Sequence, residues 1–281
     1  MLSEEMLLVR AGNFTASENH KLMAGWDIPE PDRCFDGFVE AYKVIKPLYE
    51  SGERKFLVGD MESLIDFNVN VTGELIKKVL AVVKAEAPPT GLITYAEEKA
   101  METLFDPDPS LEFSTAHTRN GEERELDCMY KLAEATGLTF SHVGDDQIHI
   151  HANEIGCTPD GVLFDDLDLV LTGAEVKCKS PLVHARNLLI DNNQDLMGAA
   201  FDHFVQIQTA MLVTGSDHWY FANYNPYAKR SDMQFKHIIV ERDESFIKTL
   251  SKRIAIAKKV KADFLIKFSG NSEKQKYGAA A

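Results

Sequence analysis

Residues 157–179, CTPDGVLFDDLDLVLTGAEVKCK, bring two acids and a lysine together in a strand-like segment. Apolar and polar residues alternate on both sides of the central acids, which predicts neighbouring strands with Gly173 at a turn. Asp160 follows a proline before the first strand, whereas Glu175 and Lys177 are two positions apart and leave one face of the second. Charges in an apolar strand are costly without partners. The segment therefore predicts a site built from two carboxylates and a lysine.

Phosphodiester hydrolysis is the chemistry that this arrangement suits best. It needs a metal that neutralises charge in the transition state and a water activated close to it. Mg2+ is commonly held by one or two carboxylates, so Asp160 and Glu175 are the expected ligands, with the backbone carbonyl of Val176 beside them. Lys177 is expected to orient the attacking water and to stabilise negative charge. The alternative is a surface ion pair next to an ordinary Pro-Asp-Gly turn.

Composition limits the class of protein before the rest of the chain is considered. The sequence is 44% hydrophobic, enough for a sizeable core, and no apolar stretch approaches the ~20 residues that a membrane span needs. The N-terminal MLSEEMLLVR has acids where a signal peptide would carry positive charge. The four cysteines are scattered without a C-x-x-C pair, which argues against zinc or iron–sulfur sites. We expect a soluble cytoplasmic protein.

Charge is distributed unevenly along the chain. The net charge of −14 argues against nucleic-acid binding, which depends on neutralising phosphates with Lys and Arg. However, residues 176–281 hold 16 basic and 10 acidic residues, a net of +6, whereas residues 1–175 carry a net of −20. Whole-chain charge is thus a poor guide to partners. The basic candidates for contacts with a nucleic-acid backbone are Lys229, Arg230, Lys258, Lys259 and Lys261.

Helical spacing of apolar residues surrounds the strand region. Helices are predicted within DGFVEAYKVIKPLYE, TGELIKKVLAVVKAEAPPTG, TYAEEKAMETLFDPDP and MYKLAEATGLTF. After the strands, a long helix from about Gln194 to Thr214 ends at Gly215, and HWYFANYN and QFKHIIVE are further strands before a basic terminal helix. The order predicts one α/β domain over residues 1–268, followed by a disordered tail at 269–281.

The pattern P-D-(x)14-E-x-K resembles the motif of the PD-(D/E)XK nuclease superfamily, and GCTPDG…AEVKCK is similar to its phage lambda exonuclease (YqaJ-type) branch. The likeness continues through HFVQIQTAMLVTGSDHWYFANYNPYAKRSDMQFKHIIVERDE and covers about 91–268, together with RAGNFTASE near the N-terminus. It implies an α/β (α+β) fold with a restriction-endonuclease-like core, in which helices flank a central mixed β-sheet. The segment at about 23–89 does not follow this branch closely, so we expect a helical insertion there.

The resemblance also implies roles for single residues. Asp160 and Glu175 match the metal-binding acids, and Lys177 matches the catalytic lysine. Glu98 matches a helix glutamate that supports the metal site. Its neighbour Glu97 stays a competing choice, because both fit the apolar positions of the helix.

Two glutamines of the long helix are told apart by helical geometry. Gln206 matches a glutamine that reaches the active site in the resembled branch. Gln208 lies about 200° away around the same helix, so it is expected to point elsewhere.

The N-terminal RAGNFTASE predicts an anion-binding site. Thr15-Ala-Ser-Glu18 fits the capping box that starts a helix, and a helix start exposes unpaired N–H groups. Thr15 and Ser17 add hydroxyls, and Arg10 supplies a forked cation suited to phosphate. In the resembled branch the matching residues, with a hydroxyl residue at the position of Thr158, hold the 5′-phosphate of the digested strand. The alternative is an ordinary capped helix beside a surface arginine.

The resemblance implies a metal-dependent 5′→3′ exonuclease of double-stranded DNA that uses two Mg2+, with Mn2+ as a substitute. It would release 5′-mononucleotides and leave a 3′ overhang for phage-type homologous recombination. The implied assembly is a ring-shaped homotrimer on DNA ends, and the implied partner is a single-strand annealing protein. Two alternatives stay open: an endonuclease or structure-specific nuclease of the same superfamily, and a non-catalytic DNA-end-binding scaffold.

Overall fold

Helices and strands of the computed structural model are described over residues 4–23, 36–66, 68–106 and 116–278. They belong to two compact units, Met1–Ala24 with Gly91–Ala281, and Gly25–Thr90. The smaller unit occupies the segment of the predicted insertion, of which 24–35 and residue 67 lie outside the described residues, as does the end of the predicted tail at 279–281. Within the described residues, no helix is long and apolar enough to cross a membrane.

The elements follow the chain in this order. The helices are α1 Glu4–Arg10, α2 His20–Met23, α3 Phe38–Glu50, α4 Val58–Met61, α5 Gly73–Glu86, α6 Thr90–Met101, α7 Ala116–Thr136, α8 Pro181–Asn187, α9 Asn193–Ala199, α10 Phe201–Thr214 and α11 Glu244–Gly278. The strands are β1 Phe14–Thr15, β2 Ile150–Ala152, β3 Ile155–Cys157, β4 Gly161–Phe164, β5 Val170–Lys177, β6 His218–Tyr224 and β7 Phe235–Glu241.

A four-stranded mixed sheet in the order β4-β5-β6-β7 is the centre of the larger unit. β5 and β6 are parallel, whereas the two outer pairs are antiparallel. A parallel pair requires a crossover, and α8, α9 and α10 supply it between β5 and β6. A second sheet, in the order β1-β3-β2, joins the N-terminal segment to the strand that precedes Asp160. The predicted α/β class, with mixed sheet and flanking helices, is confirmed.

Side chains of the central sheet alternate between two apolar clusters. Trp219 and Phe221 pack with Phe204 and other residues of α10 on one face. Tyr220 and Val176 pack on the other face with α7 residues, among them Cys128, Met129 and Leu132. Because neighbouring residues of a strand point to opposite faces, Glu175 and Lys177 lie on the α10 side of β5. The same alternation buries Val176 beneath α7.

The turn predicted at Gly173 is not found there. Gly173 lies inside β5, and the turn that joins β4 to β5 is formed instead by residues 165–169. There, Oδ1 of Asp165 accepts the N–H groups of Leu167 at 2.8 Å and Leu169 at 2.9 Å. A Cβ at residue 173 would lie 2.3 Å from the ring of Trp219. The glycine is therefore required by packing.

Replacing Gly173 with alanine is expected to destabilise the protein by roughly 1–3 kcal/mol, the usual cost of overpacking a filled core. Urea unfolding of the variant and the parent measures this difference. Gly198→Ala is the matched control, because no heavy atom lies within 4 Å of its added Cβ and the position is helical. That control should be neutral or more stable than the parent. Equal midpoints for Gly173→Ala and the parent would show that Trp219 can move aside.

Two other predicted elements differ in the structure. The long helix is interrupted, since Ala200 adopts φ −148° and ψ 62° between α9 and α10. Gly215 does end α10, in the left-handed conformation with φ 80°. Near the C-terminus, α11 continues to Gly278, through most of the segment predicted to be a disordered tail at 269–281.

The smaller unit has an apolar core of its own. Residues of α3, among them Ala41 and Ile45, pack against α5 residues such as Leu75 and Val79. The hydroxyl of Thr72 caps α5 by accepting the N–H of Leu75 at 3.1 Å.

Candidate active site

Strand pairing brings Asp160 next to Glu175. Asp160 lies directly before β4, where its N–H donates to the carbonyl of Ala174 at 3.1 Å. Its Oδ2 accepts the N–H of Val176 at 2.7 Å, and its Oδ1 accepts Nε2 of Gln147 at 3.1 Å. Asp160 is 9% exposed and Glu175 4%. Two carboxylates are thus buried on adjacent strands.

Lys177 and Gln206 complete the surroundings of Glu175. The Lys177 ammonium forms an ion pair with Oε1 of Glu175. Gln206 of α10 donates from Nε2 to the other oxygen, Oε2, at 2.7 Å. Gln208 lies elsewhere on the helix, where Nε2 donates to the carbonyl of Glu241 at 2.9 Å. The structure therefore brings together the predicted acids, lysine and glutamine.

Electrostatics show an excess of negative charge at this site. Burial raises the pKa of Asp160, although Lys177 and the two hydrogen bonds act in the opposite direction. Burial raises the pKa of Glu175 to about 8, opposed by Lys177 and reinforced by Asp160 and Glu125. For Lys177, burial would lower the pKa, but the surrounding carboxylates raise it above its usual value. One buried lysine does not balance these acids, so the site favours an additional cation.

The donor set fits a hard divalent cation. Asp160 and Glu175 offer carboxylate oxygens, and Mg2+ needs only one or two of these because water and phosphate supply the rest. No group of three or more His, Cys, Asp or Glu side chains with metal-binding geometry occurs among the described residues. The carbonyl of Val176 as a ligand stays a prediction.

Glu125 is a site residue that the sequence reasoning missed. Its charge acts on both Glu175 and Lys177, and it comes from α7. Glu98, the predicted helix glutamate, instead lies 3.8 Å from Nζ of Lys21 and is 54% exposed. A signal was present, because Glu125 is in helical phase with Cys128, Met129 and Leu132, which face the sheet. Glu125, and not Glu98, is thus the further carboxylate whose charge acts on the cluster.

Glu125→Gln is expected to lower hydrolysis roughly 10–100-fold, the usual cost of losing a group that supports metal ligands. Glu98→Gln is the matched change on the helix first expected to carry this role, and it should leave the rate within about twofold. Initial rates on linear duplex DNA at saturating Mg2+ measure both. The reverse ranking would restore Glu98 to the site.

The N-terminal segment lies beside the strand that leads to Asp160. β1 pairs in parallel with β3, with Thr15 opposite Gly156, and Thr158 directly follows β3. Arg10 lies at the end of α1. His149 connects the groups, because Nδ1 is 3.1 Å from the Thr158 hydroxyl and the charge of Arg10 helps to lower its pKa to about 4, after burial. Arg10, Thr15 and Thr158 therefore lie in one region, whereas Ser17 as part of the pocket stays a prediction.

The predicted helix start is absent at this segment. Thr15 ends a strand, a turn follows, and α2 begins only at His20 and has four residues. The Thr15–Glu18 pair forms, but the Thr15 hydroxyl donates to Oε2 of Glu18 at 3.2 Å. Any anion site here therefore depends on side chains, because a four-residue helix contributes little dipole.

Arg10 and Thr15 line a cavity of about 920 Å³. Both Glu97 and Glu98 line it, so their shared surroundings do not separate them. Apolar side chains form much of the remaining wall, among them Leu7, Met101, Phe105 and Phe264. Burial lowers the pKa of Arg10, while the charges of Glu18 and Glu102 raise it. A phosphate would compete with these carboxylates for the guanidinium.

Glu18, whose charge acts on Arg10, pairs with two lysines, of which Lys99 lines the cavity. Lys21 Nζ lies 2.7 Å from its Oε1, and the buried Lys99 lies 2.9 Å from its Oε2. Burial would raise the pKa of Glu18, but these lysines lower it from 4.5 to about 2. Because the pKa is lower in the folded state, the ion pairs contribute stability that is complete above about pH 4.5 and is lost as the pH falls toward 2.

Glu18→Gln is therefore expected to unfold at a lower urea concentration than the parent at pH 7, with a smaller difference at pH 3.5. Glu134→Gln is the matched control, because Glu134 forms a 2.9 Å pair with Lys131 on an exposed helix surface. Exposed pairs contribute little, so the control should match the parent at both pH values. A difference for Glu18→Gln that does not change with pH would exclude charge as its cause.

Two of the predicted nucleic-acid contacts on α11 have internal partners. The buried Lys261 donates to the carbonyl of Gly12 at 2.8 Å and to Glu154 at 2.6 Å. Lys258 donates to the carbonyl of Asn153. These hydrogen bonds hold α11 against the β2–β3 turn and the N-terminal segment. Lys258 and Lys261 therefore have partners within the protein, which corrects their prediction as contacts to a nucleic-acid backbone.

Solved structures share this fold. The alkaline exonuclease LHK-Exo from Laribacter hongkongensis, in complex with dAMP, matches with a TM-score of 0.57 and 18% identity over 99% of this chain and 100% of that chain. A second LHK-Exo structure matches with a TM-score of 0.55 and 18% identity over 99% and 98%. A phage-related exonuclease from Haemophilus somnus 129PT has a TM-score of 0.51 and 15% identity over 67% of this chain and 88% of that chain. The chain therefore has the fold of these exonucleases.

Comparison with proteins of similar sequence gives less information than these structures. The chain is 35% identical to the ExoD protein of Escherichia coli K12 over 52 residues, which are 18% of this chain and 58% of that protein. It thus spans less than two thirds of the length of that relative. No protein-family model matches the chain.

Proposed function

We propose that the protein is a Mg2+-dependent exonuclease that degrades one strand of duplex DNA from its 5′ end, releases 5′-mononucleotides and leaves a 3′ overhang. The observation that carries the proposal is the buried cluster of Asp160, Glu175 and Lys177, in which Gln206 donates a hydrogen bond to Oε2 of Glu175. The exonuclease fold supports it. LHK-Exo has been crystallised with dAMP, a compound of the product class proposed here.

In this proposal, Asp160 and Glu175 hold the metal, with Glu125 nearby. When bound, Mg2+ would neutralise the scissile phosphate and lower the pKa of the attacking water. Lys177 donates toward the water and toward negative charge that develops on phosphate oxygens. Gln206 fixes the rotamer of Glu175 through the 2.7 Å hydrogen bond. Val176 holds Asp160 through its backbone N–H.

The proposed polarity depends on the neighbourhood of Arg10, Thr15, Ser17 and Thr158. An enzyme that holds a terminal 5′-phosphate beside its catalytic metals removes nucleotides from that end. His149 links Thr158 to Arg10 electrostatically, which supports a shared binding region. Because the charges of Glu18 and Glu102 act on Arg10, we expect that a bound phosphate has to displace local ion pairs.

Digestion of end-labelled linear duplex with Mg2+, with and without a 5′-phosphate, tests this function. We expect faster digestion of the phosphorylated end, labelled mononucleotides from the 5′ strand, and no cutting of closed circles. Arg10→Ala should remove the preference for phosphate without abolishing hydrolysis, whereas Arg54→Ala, in the smaller unit, should keep it. Cleavage of closed circles would favour the endonuclease alternative. An inactive parent would favour the non-catalytic scaffold.

The assembly and partners belong to the same proposal. A ring-shaped homotrimer would hold the duplex by topology, which explains how a chain with a net charge of −14 stays on DNA. A single-strand annealing protein would coat the exposed strand for recombination. The proposal also includes two Mg2+ ions, which Mn2+ can replace, and a cytoplasmic location.

A further inference from the structure

The loop that follows β6 lies at the same sheet edge as the catalytic lysine. β5 and β6 are parallel, and Lys177 is opposite Asn223, so both strands end together. Two residues beyond this register, Nδ2 of Asn225 donates to the carbonyl of Lys179 at 3.0 Å. The loop is therefore anchored to the chain immediately after the catalytic strand.

This loop is held firmly but presents an aromatic side chain to solvent. The N–H of Tyr227 donates to Oδ1 of Asn225 at 3.0 Å, and Nε2 of Gln234 donates to the carbonyls of Pro226 and Ala228 at 3.2 and 3.0 Å. The Tyr227 side chain is nevertheless 73% exposed. A fixed backbone with an exposed ring lowers the entropic cost of binding a flat ligand.

A second element places a cation against this ring. The Arg124 guanidinium lies 4.9 Å from the ring centroid of Tyr227. Arg124 directly precedes Glu125, whose charge acts on Glu175 and Lys177. Because the loop that carries Tyr227 is anchored to the chain just after Lys177, the Arg124–Tyr227 pair lies at the border of the candidate active site. Lys229 in the same loop is also exposed and adds positive charge.

We propose that Tyr227, backed by Arg124, is a stacking platform for an unpaired DNA base next to the scissile phosphodiester. Proteins that bind single strands combine basic groups with exposed aromatic rings, because every base has a face that can stack. The proposal rests on the proposed nuclease function and assigns it a contact with separated strands. An enzyme that cuts at a duplex end has to hold at least one base out of its pair.

The test measures base stacking without hydrolysis. Linear duplex DNA with a short frayed end carries 2-aminopurine at successive positions near the 5′ terminus, and its fluorescence falls when the base stacks. The protein is the full chain carrying Lys177→Ala, with Mg2+ present. We expect quenching at one or two positions, and Tyr227→Ala should abolish it and weaken binding about 10-fold, within the usual effect of one stacked base.

Two further variants keep the test specific. Tyr227→Phe should retain both quenching and affinity, because stacking needs the ring and not the hydroxyl. Tyr130→Ala removes another exposed ring, 63% exposed on α7, and should behave like the parent. Unchanged quenching and affinity in Tyr227→Ala, or equal losses in Tyr130→Ala, would overturn the platform. A parent that quenches but hydrolyses no DNA would overturn the nuclease function alone, whereas an active parent with an unaffected Tyr227→Ala would overturn the platform alone.

Discussion

Replacing Lys177 with alanine is expected to lower the rate of DNA hydrolysis roughly 10²–10³-fold, the usual cost of removing one donor that stabilises transition-state charge. The ammonium is paired with Glu175 in a buried site, so water would replace it poorly. DNA binding should change much less, because one of many cationic contacts is lost. Single-turnover rates and equilibrium binding, measured on the same labelled duplex, separate the two effects.

Folding has to be checked, because the variant leaves buried carboxylates without their lysine. Thermal unfolding with and without Mg2+ serves this purpose, and Lys177→Arg provides a variant that keeps the charge. Lys131→Ala, on the exposed surface of α7, is the matched control and should retain full activity. If Lys177→Ala hydrolyses DNA as fast as the parent, the lysine has only a structural role and the proposed mechanism is wrong.

Asp160→Asn is expected to abolish metal binding and to lower hydrolysis roughly 10³-fold, because metal ions supply several kcal/mol of transition-state stabilisation. The fold should tolerate the change. One amide oxygen can still accept the Val176 N–H, and Gln147 can rotate its own amide so that its oxygen accepts from the new NH2 group. Burial also raises the pKa of Asp160, so loss of its charge removes a desolvation cost.

Calorimetric titration with Mg2+ or Mn2+ measures metal binding, and thermal unfolding measures stability. The parent should gain stability with added Mg2+, since a ligand that binds only the folded state stabilises it. Asp160→Asn should show no such gain while it equals the metal-free parent in stability. Asp166→Asn, in the exposed turn of the same sequence stretch, should bind metal normally. Retention of Mg2+-dependent stabilisation by Asp160→Asn would remove Asp160 from the metal site.

Sequence reasoning identified the centre of the site because local spacing is enough there. Strand alternation puts Glu175 and Lys177 on one face, and the short connection to β4 brings Asp160 alongside. Helical phase likewise separated Gln206 from Gln208. In these cases one element, or two adjacent in sequence, determines where the side chain points.

The predictions that failed depend on contacts between distant segments. Gly173 resembled a turn residue, yet its small size is required by Trp219 on another strand. Lys261 resembled a surface lysine, but it is buried against Gly12, at the other end of the sequence. The capping box at Thr15 was overridden by pairing of β1 with β3. Local patterns cannot report such contacts.

The sequence by itself determined the α/β class and the carboxylate–lysine cluster, because alternation along strands and phase along helices are local properties, whereas the mixed sheet was implied only by the family resemblance. Only the tertiary structure decided which glutamate acts on the charges of the cluster and which exposed ring lies against Arg124. Glu125 and Tyr227 reach the sheet edge from α7 and from the loop after β6. Their positions follow from helix–sheet packing and parallel strand pairing, and sequence spacing does not specify either.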